Sequence, residues 1–257
     1  MIELKNIDKY FNVGTVNESC IFNGFSLSVK KGEFVSIVGS NGSGKTTLLN
    51  LISGTLPIDS GNIILGGTDI TSAPEYKRAA RIARVFQDPS VGTVPSMTIL
   101  ENLSLAENKG KPYLFGFAVN KHKSDKYREM VSKLGLGLED KMNVPVGLLS
   151  GGQRQALSLI MSTLTPMDLL LLDEHTAALD PKTAETIMEL TDKIVKEKNI
   201  TTLMVTHNLR YAVEYGNRII MMHNGETVID KGGAEKSGIN VDDLLDVFNS
   251  ISIECGN

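Results

Sequence analysis

The order of apolar and polar positions divides the chain into stretches of two different periods. In IELKNIDKYF (residues 2–11) and GFSLSVKKGEFVSIVG (24–39) apolar and polar residues alternate at a period of two, with turn residues between them. This predicts strands of an antiparallel layer, which GNIILGGTDI (61–70) is expected to join. Elsewhere short apolar runs alternate with longer amphipathic ones: FVSIVG then KTTLLNLIS (45–53), LLLLD (169–173) then PKTAETIMELTDKIVKE (181–197), TTLMVTH (201–207) then NLRYAVEYG (208–216). That alternation predicts an α/β chain with a largely parallel sheet. LLLLD and TLMVTH are apolar on both faces of any strand they form, as central parallel strands covered by helices must be, and they are expected to be neighbours.

Between about Met97 and Leu164 the helical period dominates, in TILENLSLAEN, SDKYREMVSKLGL and the run RQALSLIMSTL, with no convincing strand. We expect residues 97–164 to be a helical lobe inserted into one domain spanning 1–257. Toward the end, RIIMMHNGETVIDKG places Asn224-Gly225 between apolar runs, a hairpin signal. Residues 238–257 are expected to form a helical tail, since NVDDLLDVFNSISI reads as an amphipathic helix with an acidic first turn.

Composition narrows the picture by exclusion. A net charge of −4 gives no electrostatic case for nucleic acid. No apolar run approaches the roughly 20 residues needed to cross a bilayer, and the first residues lack the layout of a secretion signal, so a cytoplasmic location is expected. Cys20 and Cys255 match no metal-ligand spacing and read as incidental or buried thiols. The four histidines are scattered; His122, His175 and His223 are expected to be satisfied by solvent.

The chemistry begins at Gly39-Ser40-Asn41-Gly42-Ser43-Gly44-Lys45-Thr46-Thr47, between the run EFVSIV and a helical stretch. This is the G-x-x-x-x-G-K-[ST] phosphate loop in its strand–loop–helix setting. Its glycines let backbone N–H groups surround phosphate oxygens, Lys45 supplies charge for the β and γ phosphates, Thr46 offers a hydroxyl to Mg²⁺, and Thr47 adds a phosphate contact. Kinases, GTPases and transport ATPases all share such a loop.

Asp173 and Glu174 follow the LLLL run where a buried strand emerges. Beside a phosphate loop, Asp173 is assigned to Mg²⁺ and Glu174 to the base that deprotonates an attacking water. Gln87, in ARVFQDP, can bind Mg²⁺ or its water through a neutral amide, and His207, ending TTLMVTH, can hydrogen-bond the γ-phosphate and align the water with Glu174. Ser150-Gly151-Gly152-Gln153, within LSGGQ, is a bare turn at the head of a helix. A hydroxyl, two glycines permitting close backbone approach, and a helix N-terminus together suit an anion, but the loop at Gly39 already has one.

The phosphate loop, Gln87, LSGGQ, LLLLDE, AALD (Ala177 to Asp180) and His207 occur in the order found in ABC-type ATPases, and the chain resembles a complete nucleotide-binding domain of that family. The resemblance implies a P-loop fold with a mostly parallel core sheet, an antiparallel β subdomain and an inserted helical subdomain. It also implies ATP and Mg²⁺ as cofactors and a head-to-tail homodimer in which LSGGQ of one copy caps the ATP held by the other, with Asp180 crossing the interface. Phe11, with Tyr10 as the second choice, is implied as the aromatic under adenine.

NVPVGL before the signature lacks the T-E-V-G-E run of many exporters, which points to an importer subunit working with transmembrane permease subunits at the inner face of the membrane. QALSLIMSTL and DEHTAALDPKTA look like a bacterial importer subgroup paired with a substrate-binding lipoprotein and associated with amino acids, aromatic ones included. The alternative is a soluble or regulatory ABC ATPase, serving cofactor assembly or gating a cell-wall enzyme. Two departures stand out: His175 where family members commonly have proline, which implies a less rigid loop, and Met161-Ser162 where many have arginine-alanine.

Overall fold

The computed structural model describes residues 1–109 and 123–254; His122 and Cys255 fall outside this range. The described residues form strands β1 (Ile2–Phe11), β2 (Ser19–Val29), β3 (Phe34–Gly39), β4 (Ser60–Leu65), β5 (Thr68–Asp69), β6 (Ile82–Val85), β7 (Leu169–Asp173), β8 (Thr202–Val205), β9 (Arg218–His223) and β10 (Glu226–Gly232). The antiparallel layer predicted from the period-two runs is a four-stranded sheet in the order β2-β1-β4-β5. The second sheet has six strands in the order β10-β9-β3-β8-β7-β6; all neighbours are parallel except the β9–β10 hairpin. LLLLD and TLMV are adjacent strands, with Leu172 opposite Met204 and Asp173 opposite Val205.

Why the first four residues of β7 are all leucine follows from what covers them. Leu169 and Leu171 join a core with Ile2, Leu4 and Phe22 of the antiparallel sheet and with Leu48 and Leu51 of helix α1 (Lys45–Ser53). Leu170 and Leu172 point the other way, into a core with Ile99, Leu157 and Ile187. The strand serves two cores, so neither face has room for polar residues. A short helix, α2 (Glu75–Arg78), precedes β6, and the three residues just named bring in α3 (Ile99–Glu107), α5 (Gly151–Ser162) and α6 (Pro181–Lys198), with α4 (Ser124–Ser132) lying between α3 and α5 in sequence. No strand occurs among the described residues of 97–164, although an isolated bridge joins Thr98 to Pro145.

Local sequence sets the helix ends. At α3 a capping box joins Thr98 and Glu101, and at α5 another joins Ser150 and Gln153. Asp180 caps α6, with Pro181 at its first position, and Asn199 in the left-handed region (φ 48°) stops it. Asn224 (φ 46°) and Gly225 (φ 78°) make the predicted β9–β10 turn. After α7 (Leu209–Glu214) and α8 (Ala234–Ser237), α9 (Val241–Glu254) carries Asp242 and Asp243 in its first turn, and its Leu244 is buried with Val38, Ala212, Ile219 and Met221.

Candidate active site

The C-terminal ends of β3, β7 and β8 bring together the residues singled out in the sequence, at the edge where parallel sheets gather their ligands. Gly39 ends β3 with φ 155°, and a Cβ there would stand 2.2 Å from the carbonyl oxygen of Met222 on β9, so only glycine lets the chain leave the sheet here. Beyond the exposed Asn41 and Gly42, Ser43, Gly44 and Lys45 are buried, and Gly44 leads into α1 from a left-handed conformation. The β9–β10 turn braces the loop from outside, where Gly225 N–H donates to the carbonyl of Ser43 at 3.2 Å.

Lys45 folds back into its own loop, donating from Nζ to the carbonyls of Gly39 (2.9 Å) and Ser40 (2.8 Å). Burial pulls its pKa down, opposed by the nearby carboxylates of Glu174 and Asp173. Thr46 is exposed and Thr47 half-buried at the head of α1.

Asp173, 8% exposed, ends β7, and its Oδ2 accepts from Arg84 Nη2 at 2.5 Å. Glu174 takes a left-handed conformation (φ 46°) that a non-glycine residue holds only when its surroundings enforce it. Its N–H donates to the carbonyl of Val205 at 3.0 Å, and its carbonyl accepts from Ala177. Held this way, Glu174 Oε1 lies 2.7 Å from His207 Nε2, so the base and the histidine named from sequence meet directly. His207 itself is exposed, as is Gln87, which follows β6.

The signature turn stands apart from this cluster in its bonding. Ser150 Oγ accepts from Gln153 N–H at 3.2 Å, and Ser150 N–H donates to Gln153 Oε1 at 3.3 Å. Gln153 is expected from sequence to face a nucleotide, yet its amide serves the cap and also donates to the carbonyl of Leu136 at 3.0 Å. Gly151 and Gly152 differ in their surroundings: Gly151 is exposed, whereas a Cβ on Gly152 would stand 2.2 Å from Thr183 Cγ2, so Gly152 sets the approach of α5 to α6. Asp180 is exposed and accepts from Thr183 N–H at 3.1 Å. In the antiparallel sheet, Phe22 of β2 packs against the phosphate loop, its ring 2.9 Å from where a Gly44 Cβ would be. Phe11 and Tyr10, half-buried at the end of β1, pair with Ser19 and Cys20.

Two histidine expectations are overturned. His175 does not face solvent: it is 2% exposed, with Nε2 at 3.1 Å from Thr191 Oγ1 of α6. Thr191 spends its own proton on the carbonyl of Ile187 (2.7 Å), so the imidazole donates. The loop behind Glu174 is therefore pinned where a proline was expected to be missed. His223 Nδ1 lies 3.4 Å from Ser40 Oγ of the phosphate loop, a contact that scattered histidines gave no sign of. Gln155 and Arg84 were also missed. Gln155, 1% exposed, donates to the carbonyl of Phe86 at 3.1 Å and so ties α5 to the segment carrying Gln87. A glutamine among the apolar residues of RQALSLIMSTL was the available signal.

A phosphate loop on a mostly parallel sheet, with an acidic pair and a histidine at the neighbouring strand ends, defines a P-loop nucleoside triphosphatase. Comparison with known proteins takes this further. The ABC transporter family profile matches residues 22–177, and the chain belongs to that family. It is 52% identical over 248 residues to a tyrosine transport ATP-binding protein of Clostridioides difficile, covering 96% of this chain and 98% of the relative. It is 33% identical over 236 residues to a phosphonates import ATP-binding protein of Lactococcus lactis, covering 90% of this chain and 92% of that one. Among solved structures it resembles an ATP-binding cassette seen as a dimer in a post-hydrolysis state with ADP and Pi, at 30% identity and a TM-score of 0.76, covering 90% of this chain and 98% of the other. The chain is thus an ATP-hydrolysing cassette of the ABC family.

Proposed function

We propose that this protein is the ATPase subunit of a membrane importer, and that two copies enclose two ATP molecules head to tail to drive uptake of a small solute. An amino acid, with an aromatic one favoured, is the solute class, supported by the tyrosine transport relative. Transmembrane permease subunits, and a substrate-binding lipoprotein delivering to them, complete the proposed system at the inner face of the membrane. Among the described residues no helix is long and apolar enough to cross a membrane.

The observation that carries this reading is the division of the site. Lys45, Asp173, Glu174 and His207 converge at one sheet edge, while Ser150 and Gly151 lie exposed at the head of α5, bonded to their own helix. In this reading the second half of each site comes from the partner, with Asp180 crossing beside it.

Among the described residues no three His, Cys, Asp or Glu side chains converge to hold a metal. Asp173 and the hydroxyl of the exposed Thr46 would nevertheless hold a Mg²⁺ ion, which would take its other oxygen ligands from phosphate and water, and Gln87 would bind it through its amide. When bound, the ion would neutralise phosphate charge. Glu174 accepts a proton from water as the water oxygen bonds to the γ-phosphorus and the bond from that phosphorus to the β–γ bridging oxygen breaks. His207 keeps the Glu174 carboxylate aimed, and Lys45 exchanges its loop carbonyls for the β and γ phosphates. Closure follows ATP binding and reopening follows hydrolysis.

The test is Glu174→Gln with ATP and Mg²⁺. The variant should retain nucleotide and elute as a dimer in size-exclusion chromatography; a monomer at saturating nucleotide ends the sandwich reading. Copurification of the tagged protein with its membrane partners then distinguishes an importer from a soluble or regulatory ATPase.

A further inference from the structure

Arg84 stands on β6 between two parts of the site and belongs to neither. Its Nη2 donates to Asp173 Oδ2 at 2.5 Å, with both side chains 12% exposed, and its Nη1 donates to Asn50 Oδ1 of α1 at 2.7 Å. The guanidinium lies 4.8 Å from the ring centroid of Phe86, the residue before Gln87. Its Nε is buried without a hydrogen-bond partner among the described residues. Leaving a donor unmet in this way is unfavourable, so the side chain is held by what its other two nitrogens grip. The planar fork is what allows one side chain to hold a carboxylate and an amide at once.

We propose that Arg84 is a positioning residue for ATP hydrolysis and the resident counter-ion of Asp173: it fixes that carboxylate relative to the phosphate-loop helix and lowers the site's affinity for Mg²⁺ while raising it for the nucleotide's negative charge. The inference rests on the metal role proposed for Asp173. Its direction follows from the local charges. Lys45 and Arg84 balance Asp173 and Glu174, so an arriving divalent cation meets a neutral cluster. Without Arg84 the cluster has one uncompensated carboxylate, which attracts the cation and repels the triphosphate. Position 84 also lines a groove of about 400 Å³ with Phe86, Met161 and Ser162, and the carbonyl of Arg84 accepts from Ser162 Oγ at 3.2 Å. Of the two residues that depart from the arginine-alanine pair, Ser162 thus bonds to this arginine's backbone and Met161 lines the same groove.

The experiment compares wild type, Arg84→Met, Arg84→Lys and Asp173→Asn by titration with a fluorescent ATP analogue, first in EDTA and then at stepped free Mg²⁺, with turnover measured alongside. Arg84→Met should bind metal-free nucleotide roughly three- to tenfold more weakly and reach half-saturation at a roughly three- to tenfold lower free Mg²⁺ concentration, with reduced kcat. Loss of packing alone would not tighten the response to Mg²⁺. Arg84→Lys keeps the charge and loses the fork, so its Mg²⁺ response should match wild type while kcat falls. Should Arg84→Met not fold, Arg84→Lys decides: kcat equal to wild type overturns the inference. An unchanged Mg²⁺ response in Asp173→Asn would instead remove the metal role itself. A changed response there, with Arg84→Met matching wild type in both titrations, overturns the role of Arg84 alone.

Discussion

Replacing His175 with asparagine should remove a specific part of the protein's acid sensitivity. The imidazole is enclosed between the end of β7 and α6, 2% exposed, and donates to Thr191. Burial lowers its pKa from 6.5 to about 4. The unfolded chain therefore takes up this proton first as pH falls. The stability tied to neutral His175 is complete above pH 6.5, declines between 6.5 and 4, and is constant below that. At 1.36 kcal/mol per pH unit, the loss is about 2 kcal/mol at pH 5 and about 3 kcal/mol in full. Asparagine keeps a neutral donor for Thr191 and does not titrate. Urea unfolding of the nucleotide-free, magnesium-free protein at pH 5 and pH 7 measures the effect, with His175→Asn subtracted so that other titrating groups cancel. The stability difference between wild type and variant should move by about 2 kcal/mol between the two pH values, toward the variant at pH 5. A difference equal at both values would refute the claim that this histidine is held neutral by its surroundings.

Other perturbations test other parts of the fold. Gly152→Ala places a Cβ against Thr183 Cγ2 and should cost about 1–3 kcal/mol through separation of α5 from α6; adding Thr183→Ser, which removes that methyl, should return most of the lost thermal midpoint. Glu107 is pushed up by burial, but hydrogen bonds from Lys123, Tyr127 and Lys126 bring it down to about 2, below its ordinary 4.5. Its contribution is present above pH 4.5 and lost as pH falls toward 2, so Glu107→Gln should lower the thermal midpoint at pH 7, by about 2 kcal/mol in stability, and flatten the acid limb of the unfolding profile.

The strands and most helices could be read from periodicity because each has one dominant environment. The four leucines of LLLLD follow one another since both faces of the strand meet cores, and Thr98, Ser150 and Asp180 mark helix starts through side chains that bond within three residues. The phosphate loop, the acidic pair and His207 were equally legible, since their chemistry lies in contiguous motifs or at the ends of recognisable strands. What escaped is long-range pairing. Arg84 and Asp173 are 89 positions apart, Ser40 and His223 are 183 apart, and His175 meets Thr191 only because α6 turns back over β7. A lone arginine in ARVFQ or a lone histidine after DE has no periodic signature. Only the topology that puts β6 beside β7, and α6 against β7, decides what each one touches.

The proposed division of the nucleotide site between two chains makes a prediction that no single-chain site could satisfy. Lys45 bonds to its own loop carbonyls and Ser150 caps its own helix, so each half is internally satisfied and each can be disabled separately. Let one chain carry Lys45→Ala and another Gly151→Asp, both with Glu174→Gln so that bound ATP persists. The first keeps a working signature turn and loses its phosphate loop; the second does the reverse, because a carboxylate at exposed position 151 repels the triphosphate. Neither alone can build a complete site in a head-to-tail dimer. Mixed in equal amounts, however, they can pair so that the intact loop of one faces the intact turn of the other, giving one complete site per heterodimer. With ATP and Mg²⁺ the mixture should yield dimers in size-exclusion chromatography that neither chain forms by itself, carrying about one nucleotide per pair. If the mixture stays monomeric while the protein carrying Glu174→Gln alone dimerises under the same conditions, the halves do not complement one another, and LSGGQ is not facing a partner's ATP.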